Sequence, residues 1–268
     1  MMRKIKKNIK TILYKLLSGK KGYADLKILS GPAKGTKLRL DIRKEGSYFL
    51  GTYDKWIFDR MKFSELIKPG MIAWDCGAYI GYYTAVFRKC LGTTGAVYTF
   101  EASSKNYNVV KHLSELNSWN NVHIVNCAVG PDHSVIRFAN NLGGSNGPVG
   151  LSKNYAEALE IEEVICCGVD ELVYEKGIPA PDLIKFDLET AEEFALHNGD
   201  KVFSIKRPVI LLELHGEKAL NATGLFLEKY NYKAVLVWDL PDPKVIYRNS
   251  IDLIGIGYVP HMLMCTPG

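Results

Sequence analysis

With 268 residues, 47% of them hydrophobic and 24% charged, the chain carries enough apolar material to bury a full core, which excludes intrinsic disorder and fits one large domain with an appendage or two small ones. Its formal net charge of +5 is concentrated at one end: Arg3, Lys4, Lys6, Lys7, Lys10, Lys15, Lys20 and Lys21 precede the first acid, and the other 26 basic residues face 29 acids, a balance of about −3 that excludes a nucleic-acid binder driven by bulk charge. Six cysteines (Cys76, Cys90, Cys127, Cys166, Cys167, Cys265) lie scattered in apolar runs without CxxC or Cys/His zinc spacing, and read as structural thiols of a reducing, cytoplasmic protein.

Over residues 1–21, Ile5, Ile9, Ile12, Leu13, Leu16 and Leu17 recur at offsets of three and four, one face of a basic amphipathic helix ending near Gly19. No apolar run there has the length of a signal peptide's centre or of a membrane span. Residues 3–17 suit peripheral contact with an anionic membrane surface, or equally packing against the domain or a second subunit. Alternation around Gly and Pro over 26–51 predicts a β-meander, and the spacing over 56–67 predicts a helix stopped by Lys68-Pro69-Gly70. Residues 22–68 thus form an appended meander and helix, and 69–268 the main domain.

From Pro69 onward, short apolar runs alternate with helical stretches, the pattern of a parallel sheet covered on both faces. Strands are expected at 71–76, 96–102, 122–129, 181–189 and 208–216, with helices at 80–91, 103–117 and 219–230. The stretch EEVICCGVDELV reads as a strand leading into a short helix, and AEEFALHNGDKVFSI as a helix. The tail contributes two more strands, KAVLVWDL and KVIYRN. A loop of small polar residues over 140–154 is too long for a plain connection and is expected to cover a binding site.

In such a sheet ligands bind beyond the C-terminal strand ends, so the polar residues there are the candidates. Asp75-Cys76-Gly77-Ala78-Tyr79-Ile80-Gly81 has D-x-G-x-x-x-G at a strand-to-helix turn, where glycine admits close backbone approach and the helix start offers free N–H groups. Glu101 ends the next strand, where an acid can accept the hydroxyl protons of a ribose. The turn lacks G-x-G-x-x-G, so adenosine carrying a small charged group and no pyrophosphate fits better than a nicotinamide dinucleotide; S-adenosylmethionine answers that description. Asp75 or its neighbouring backbone would meet the methionine ammonium, and Asn126, Cys127 and Ala128 the adenine.

From about residue 30 to 240, the succession GPAKG, KPGMIAWDCGAYIGYYT, VYTFEAS with Asn106, NVHIVNCAVG, VDEL, DLIKFDLETAE and PVILLELHG resembles the FkbM family of S-adenosylmethionine-dependent methyltransferases. The resemblance implies an α/β class I methyltransferase fold, a Rossmann-like sheet of seven mostly parallel strands with one antiparallel strand near its edge. It also implies methyl transfer to a hydroxyl oxygen of a sugar or natural product, leaving S-adenosylhomocysteine. Carried onto this chain, Asp75, Gly77 and Gly81 would line the methionine end and Glu101 the ribose; Ala78, Tyr79, Ala102, Asn106 and Asp187 complete the expected cofactor set. Tyr79 stands where the family commonly has Asn, and Thr190 replaces Gly in its D-V-E-G-A-E motif.

An alcohol becomes a good nucleophile on losing its proton, so a base is sought among His215, Asp187, Glu189 and Glu192. His215 is preferred because an imidazole near its ordinary pKa accepts protons at neutral pH, where an unshifted carboxylate is weaker by about two units, or roughly 3 kcal/mol. The same histidine also reads as a strand-end cap, and Glu192 with Glu193 as an exposed helix start. His112, His123, His133, His197 and His261 show no ligand spacing, so no required metal is expected. A nicotinamide-dependent oxidoreductase and a non-catalytic methyltransferase-like binding module remain the competing readings.

Overall fold

The computed structural model describes residues 22–140, 147–148, 160–256 and 261–268. The helix expected over 1–21 and nearly all of the loop expected over 140–154 lie outside the described residues.

The appended segment begins with an antiparallel pair, β1 (Ala24–Lys27) and β2 (Lys37–Leu40). What the alternation predicts as the rest of a meander is instead a helix, α1 (Ile42–Leu50). Its caps decide the matter: the Asp41 side chain accepts the Arg43 N–H at the start, and Gly51 ends it with a left-handed φ of 72°. The helix expected over 56–67 forms as two short ones, α2 (Lys55–Met61) and α3 (Phe63–Leu66), parted at Lys62, whose φ is 45°.

The main domain runs β3 (Ile72–Cys76), α4 (Tyr82–Leu91), β4 (Ala96–Phe100), α5 (Ser104–Leu116) and β5 (Val122–Val125). After β6 (Ala128–Val129), β7 (Ser134–Asn140), β8 (Gly147–Pro148), β9 (Glu160–Cys167) and α6 (Val169–Tyr174), it continues with β10 (Leu183–Phe186), α7 (Glu192–His197), β11 (Val209–Leu214), α8 (Glu217–Lys229), β12 (Tyr232–Leu236), α9 (Ser250–Leu253) and β13 (His261–Pro267). The order in the large sheet is β12-β13-β11-β10-β3-β4-β5, all parallel except β13, which runs antiparallel to both neighbours. This is the sheet the resemblance implies.

Two expected strands come out differently, and one strand forms where none is expected. The run 122–129 is broken in two: Asn126 donates to the carbonyl oxygens of Glu101 (2.9 Å) and Ala102 (3.0 Å), and the chain leaves the large sheet there, so that β6 pairs with β9 in a second sheet ordered β6-β9-β7-β8. KVIYRN forms no strand beyond one bridge, Tyr247 to Ala234. The place beside β11 is taken by β13, from a stretch not expected to be a strand at all.

Alternate residues of the central strands separate the core into two faces. Trp74, Cys76, Phe100, Ile184, Phe186, Ile210 and Leu212 pack on one side, Ala73, Val97, Leu183 and Leu211 on the other. Register then sets Asp75 beside Lys185, and Lys185 beside Leu211, two residues before Glu213. Three charged groups consequently emerge from an otherwise apolar face at the C-terminal ends of β3, β10 and β11.

Candidate active site

Gly77 opens the site because nothing larger fits. Its φ is +83°, and a Cβ there would lie 1.9 Å from the Asp187 carbonyl oxygen, so a side chain would force β3 and β10 apart at their ends. Gly81 serves packing: a Cβ would meet Leu113 Cδ2 at 2.5 Å, so the glycine lets α5 sit against the start of α4. Between them Tyr79 also has a positive φ, 54°. Its N–H donates to Glu101 Oε2 (2.7 Å) and its hydroxyl to Glu45 Oε1 (3.1 Å), which ties the turn to β4 and to α1.

Glu101 is buried with both oxygens engaged, the second accepting the Ser103 N–H at 3.0 Å. Burial pushes its carboxyl up to about 7, against the pull of those N–H groups and of Asn106. Asp75 is fully buried; Oδ2 accepts from Thr84 Oγ1 at 2.6 Å, whereas Oδ1 has no partner. Burial raises its pKa, and the neighbouring Lys185 ammonium opposes the rise. Lys185 is 2% exposed, donates to Asp187 Oδ2 at 2.8 Å and lies 4.7 Å from the centre of the Tyr83 ring. Burial works against its charge, but Asp187 and Asp75 outweigh that and hold it protonated.

Three cavities follow one another across these strand ends. The first, about 420 Å³, is lined by Gly77, Tyr79, Glu101, Ala102, Asn106, Cys127, Ala128, Asp187 and Glu189, with apolar walls from Phe100, Phe138 and Phe194. The second, about 710 Å³, shares Gly77, Tyr79, Asp187 and Glu189 and adds Asp75, Ala78, Lys185, Glu45, Tyr48 and Tyr53. The third, about 460 Å³, meets the second at Tyr53 and is lined by Asp54, Trp56, Ile57, Glu213, Trp238 and His261. Of the expected cofactor residues, Asn126 and Gly81 line none of the three.

His215 also lies off these cavities. Its Nδ1 sits 2.8 Å from Oε1 of Glu192, which is wholly buried and accepts the Leu188 N–H with the same oxygen at 2.9 Å. Glu192 is therefore no exposed helix start; it anchors a buried pair. A base at His215 needs a neutral ring: burial disfavours the charge, but the hydrogen bond to Glu192 and the charges of Glu192, Asp187 and Glu213 favour it and raise the pKa to about 9. At neutral pH the ring is an imidazolium. Glu213, 3.7 Å from His215 Nε2, is pushed up to about 7 by burial and then by Asp187, with Lys185 and His215 pulling the other way. Asp187, Glu213 and His215 bring one donor atom each within 4.8 Å of the others, a spacing that would suit a cation. Lys185 and the protonated His215 already supply positive charge there.

Glu213, two residues before His215 and so on the same side of an extended strand, is legible as a polar strand-end residue, whereas Lys185, Glu45 and the aromatic group Tyr53, Trp56 and Trp238 belong to the site without being expected from the sequence. A charged residue inside an apolar strand run, as in LIKF, is the signal for Lys185; the other four come from segments whose folding onto the sheet is not visible in spacing.

Residues 75–234, more than half of the chain, match the Methyltransferase FkbM domain. No curated protein matches the chain. Among solved structures, M. jannaschii TYW2 in complex with AdoMet is 16% identical over 93% of this chain and 87% of that one, with a TM-score of 0.47. Methyltransferase FkbM from Methylobacillus flagellatus KT is 14% identical over 84% and 55%, with a TM-score of 0.44. A protein-L-isoaspartate O-methyltransferase is 28% identical over 28% and 23%, with a TM-score of 0.26. The chain thus spans little more than half the length of the second and less than a quarter of the third.

Proposed function

The chain belongs to the FkbM family of S-adenosylmethionine-dependent methyltransferases, and from that premise we propose that it methylates a hydroxyl oxygen of a sugar, glycan or natural-product acceptor. The observation that carries this reading is the succession of the three cavities, each sharing lining residues with the next. One end is apolar with a single buried acid, as an adenosine requires, and the other is aromatic and acid-lined, as a hydroxylated acceptor would suit.

The residues present fit the cofactor at one point above all: Asp75 Oδ1 is a buried acceptor without a donor, which an ammonium group would satisfy. In this reading Glu101 accepts the ribose hydroxyls, Ala102, Asn106, Cys127 and Ala128 form the adenosine wall, and Asp75, Gly77, Ala78 and Tyr79 border the methionine end. Asp187 and Glu189 line the passage between the first two cavities. When bound, S-adenosylmethionine supplies a methyl group that is electrophilic because it sits on a sulfonium. The chain's own residues orient, exclude water and manage the proton.

His215 and Glu192 act as a fixed ion pair that holds the end of β11 against α7, with His215 lending positive charge to the acids around it. Asp187, Glu213 and His215 are the described residues that could gather around a cation, and this reading calls for none. The acid lining favours uncharged or amine-bearing acceptors over nucleic acid. Six free cysteines, five of them buried, support a reducing cytoplasmic location, and among the described residues no helix is long and apolar enough to cross a membrane. A role for residues 3–17 at a membrane or in self-association lies outside the described residues.

The test has two arms. Glu101→Ala should weaken binding of S-adenosylhomocysteine at least tenfold by calorimetry; unchanged binding removes the ribose assignment. A screen of hydroxylated and amine acceptors with methyl-labelled cofactor should label oxygen, and labelling confined to nitrogen would overturn the proposal.

A further inference from the structure

None of the residues expected to hold the cofactor lines the third cavity, which is built from distant pieces of chain. Trp56 on α2 and Trp238, just beyond β12, meet with ring centres 5.2 Å apart at 61°, and both stay exposed, by 40% and 62%. Their meeting is enforced. Arg60, one turn along α2 from Trp56, lays its guanidinium 5.1 Å from the centre of the Trp238 ring and donates to the carbonyl oxygens of Trp238 and, at 2.9 Å, Leu240. Asp54 is held by a hydrogen bond from the Tyr83 hydroxyl at 3.0 Å, and Tyr53 forms the border with the second cavity. Glu213 also lines this cavity, and its carboxylate reaches within 4.8 Å of Asp187, which lines both cofactor-side cavities.

Two adjoining indoles left in water present flat faces that the C–H edges of a hydroxylated ring can cover, while the carboxylates beside them accept hydroxyl or ammonium donors and repel phosphates. Resting on the methyltransferase reading above, we propose that this cavity is the acceptor subsite for a non-anionic hydroxylated ring, and that the Glu213 carboxylate takes the proton of the reacting hydroxyl. The O–H bond breaks toward Glu213 and its electron pair stays on the acceptor oxygen. That oxygen bonds the methyl carbon as the carbon–sulfur pair departs with sulfur, leaving an ether, a neutral thioether and a protonated Glu213. Lys185 from β10, Asp187 just after it, His215 just after β11, Asp54 ahead of α2 and His261 from β13 surround this carboxylate. Asp54 lines the third cavity too, but it is Glu213 whose carboxylate comes within 4.8 Å of both Asp187 and His215.

The binding half is tested without turnover. In the full-length protein saturated with S-adenosylhomocysteine, irradiating indole resonances should transfer saturation to methyl β-glucoside or methyl β-glucosaminide, and the Trp56→Ala, Trp238→Ala double variant should abolish it. Retained calorimetric binding of S-adenosylhomocysteine verifies that this variant is folded. No transfer to either probe in the parent protein, or undiminished transfer in the folded variant, would overturn the subsite. For the proton, Glu213→Gln should lower turnover at least 100-fold with S-adenosylhomocysteine affinity unchanged; a loss under threefold would remove Glu213 as the base. Failure to label any acceptor would count against the methyltransferase reading, whereas loss of saturation transfer alone counts against the subsite.

Discussion

Thr190 occupies a backbone conformation made for glycine. Its φ of 85° is unusual for any side chain and worse for a β-branched one, and its buried hydroxyl finds no partner. The strain costs about 1–3 kcal/mol, against about 0.5–1 kcal/mol of chain entropy that a glycine would lose on folding. Thr190→Gly should therefore stabilise the protein by roughly 1 kcal/mol, read as a rise in melting temperature; a fall would mean that the threonine methyl packs better than its backbone suffers. At this scale the site was legible wherever a polar residue ended a strand. Asp75, Gly77, Glu101 and Asp187 could be read because the strand before each is a clear apolar run and the crevice lies at strand ends. Glu213 was legible in the same way, two residues before His215, but Lys185 sits inside the LIKF run, where a sequence shows an interruption without saying which face it points to. His215 could be placed but not its charge, since that depends on Glu192, 23 residues away and brought near only by the fold.

Between elements, the contact that sets the site's electrostatics is the one joining α7 to β11. Glu192, from the first turn of α7, gives one oxygen to both His215 and the Leu188 N–H. Replacing it by Gln removes the charge that holds the imidazolium, so Glu192→Gln should bring the pKa of His215 from about 9 toward its ordinary 6.5, visible in an NMR titration of the ring protons. A histidine whose folded pKa is raised contributes stability that is complete below the unfolded pKa and lost as pH climbs through the folded one. The variant should accordingly lose about 1–3 kcal/mol near pH 6 and little above pH 9. Elements were legible where a continuous apolar run met a helical one, as in β3 with α4 and β10. They were misread where local chemistry overrode the pattern: the Asp41 and Gly51 caps turned an alternating stretch into α1, and the Asn126 side chain cut one apolar run into β5 and β6. Val245 and Ile246 look like strand residues, yet both are exposed because β13 supplies the ladder beside β12.

For the molecule as a whole, the buried acids make stability depend on pH in an unusual direction. Glu101 and Glu213 titrate near 4.5 when unfolded and near 7 when folded, so the folded state keeps their protons longer. Stability from this source is complete below about pH 4.5 and lost as pH rises through 7, on the order of 3 kcal/mol for each residue if fully realised, and His215 adds a loss between 6.5 and 9. Asp25, Asp41, Asp200 and Glu171, whose pKa values are lowered, act oppositely and lose their contribution as pH falls below about 4. The free protein should melt highest near pH 5 and progressively lower toward pH 9 in scanning calorimetry; a flat profile would mean that the buried acids are ionised throughout. Topology adds a constraint in time. β13 lies between β11 and β12 and follows every other described strand in the chain, so during synthesis β12 has no neighbour in the sheet, and β11 keeps a bare edge, until residues 261–267 have left the ribosome. Trp238 is carried by the connection out of β12, and Glu213 faces Met262 across the β11 ladder. The wall bearing both is thus among the last parts to assemble, and a nascent chain would hold its adenosine-sized cavity before it held the aromatic one.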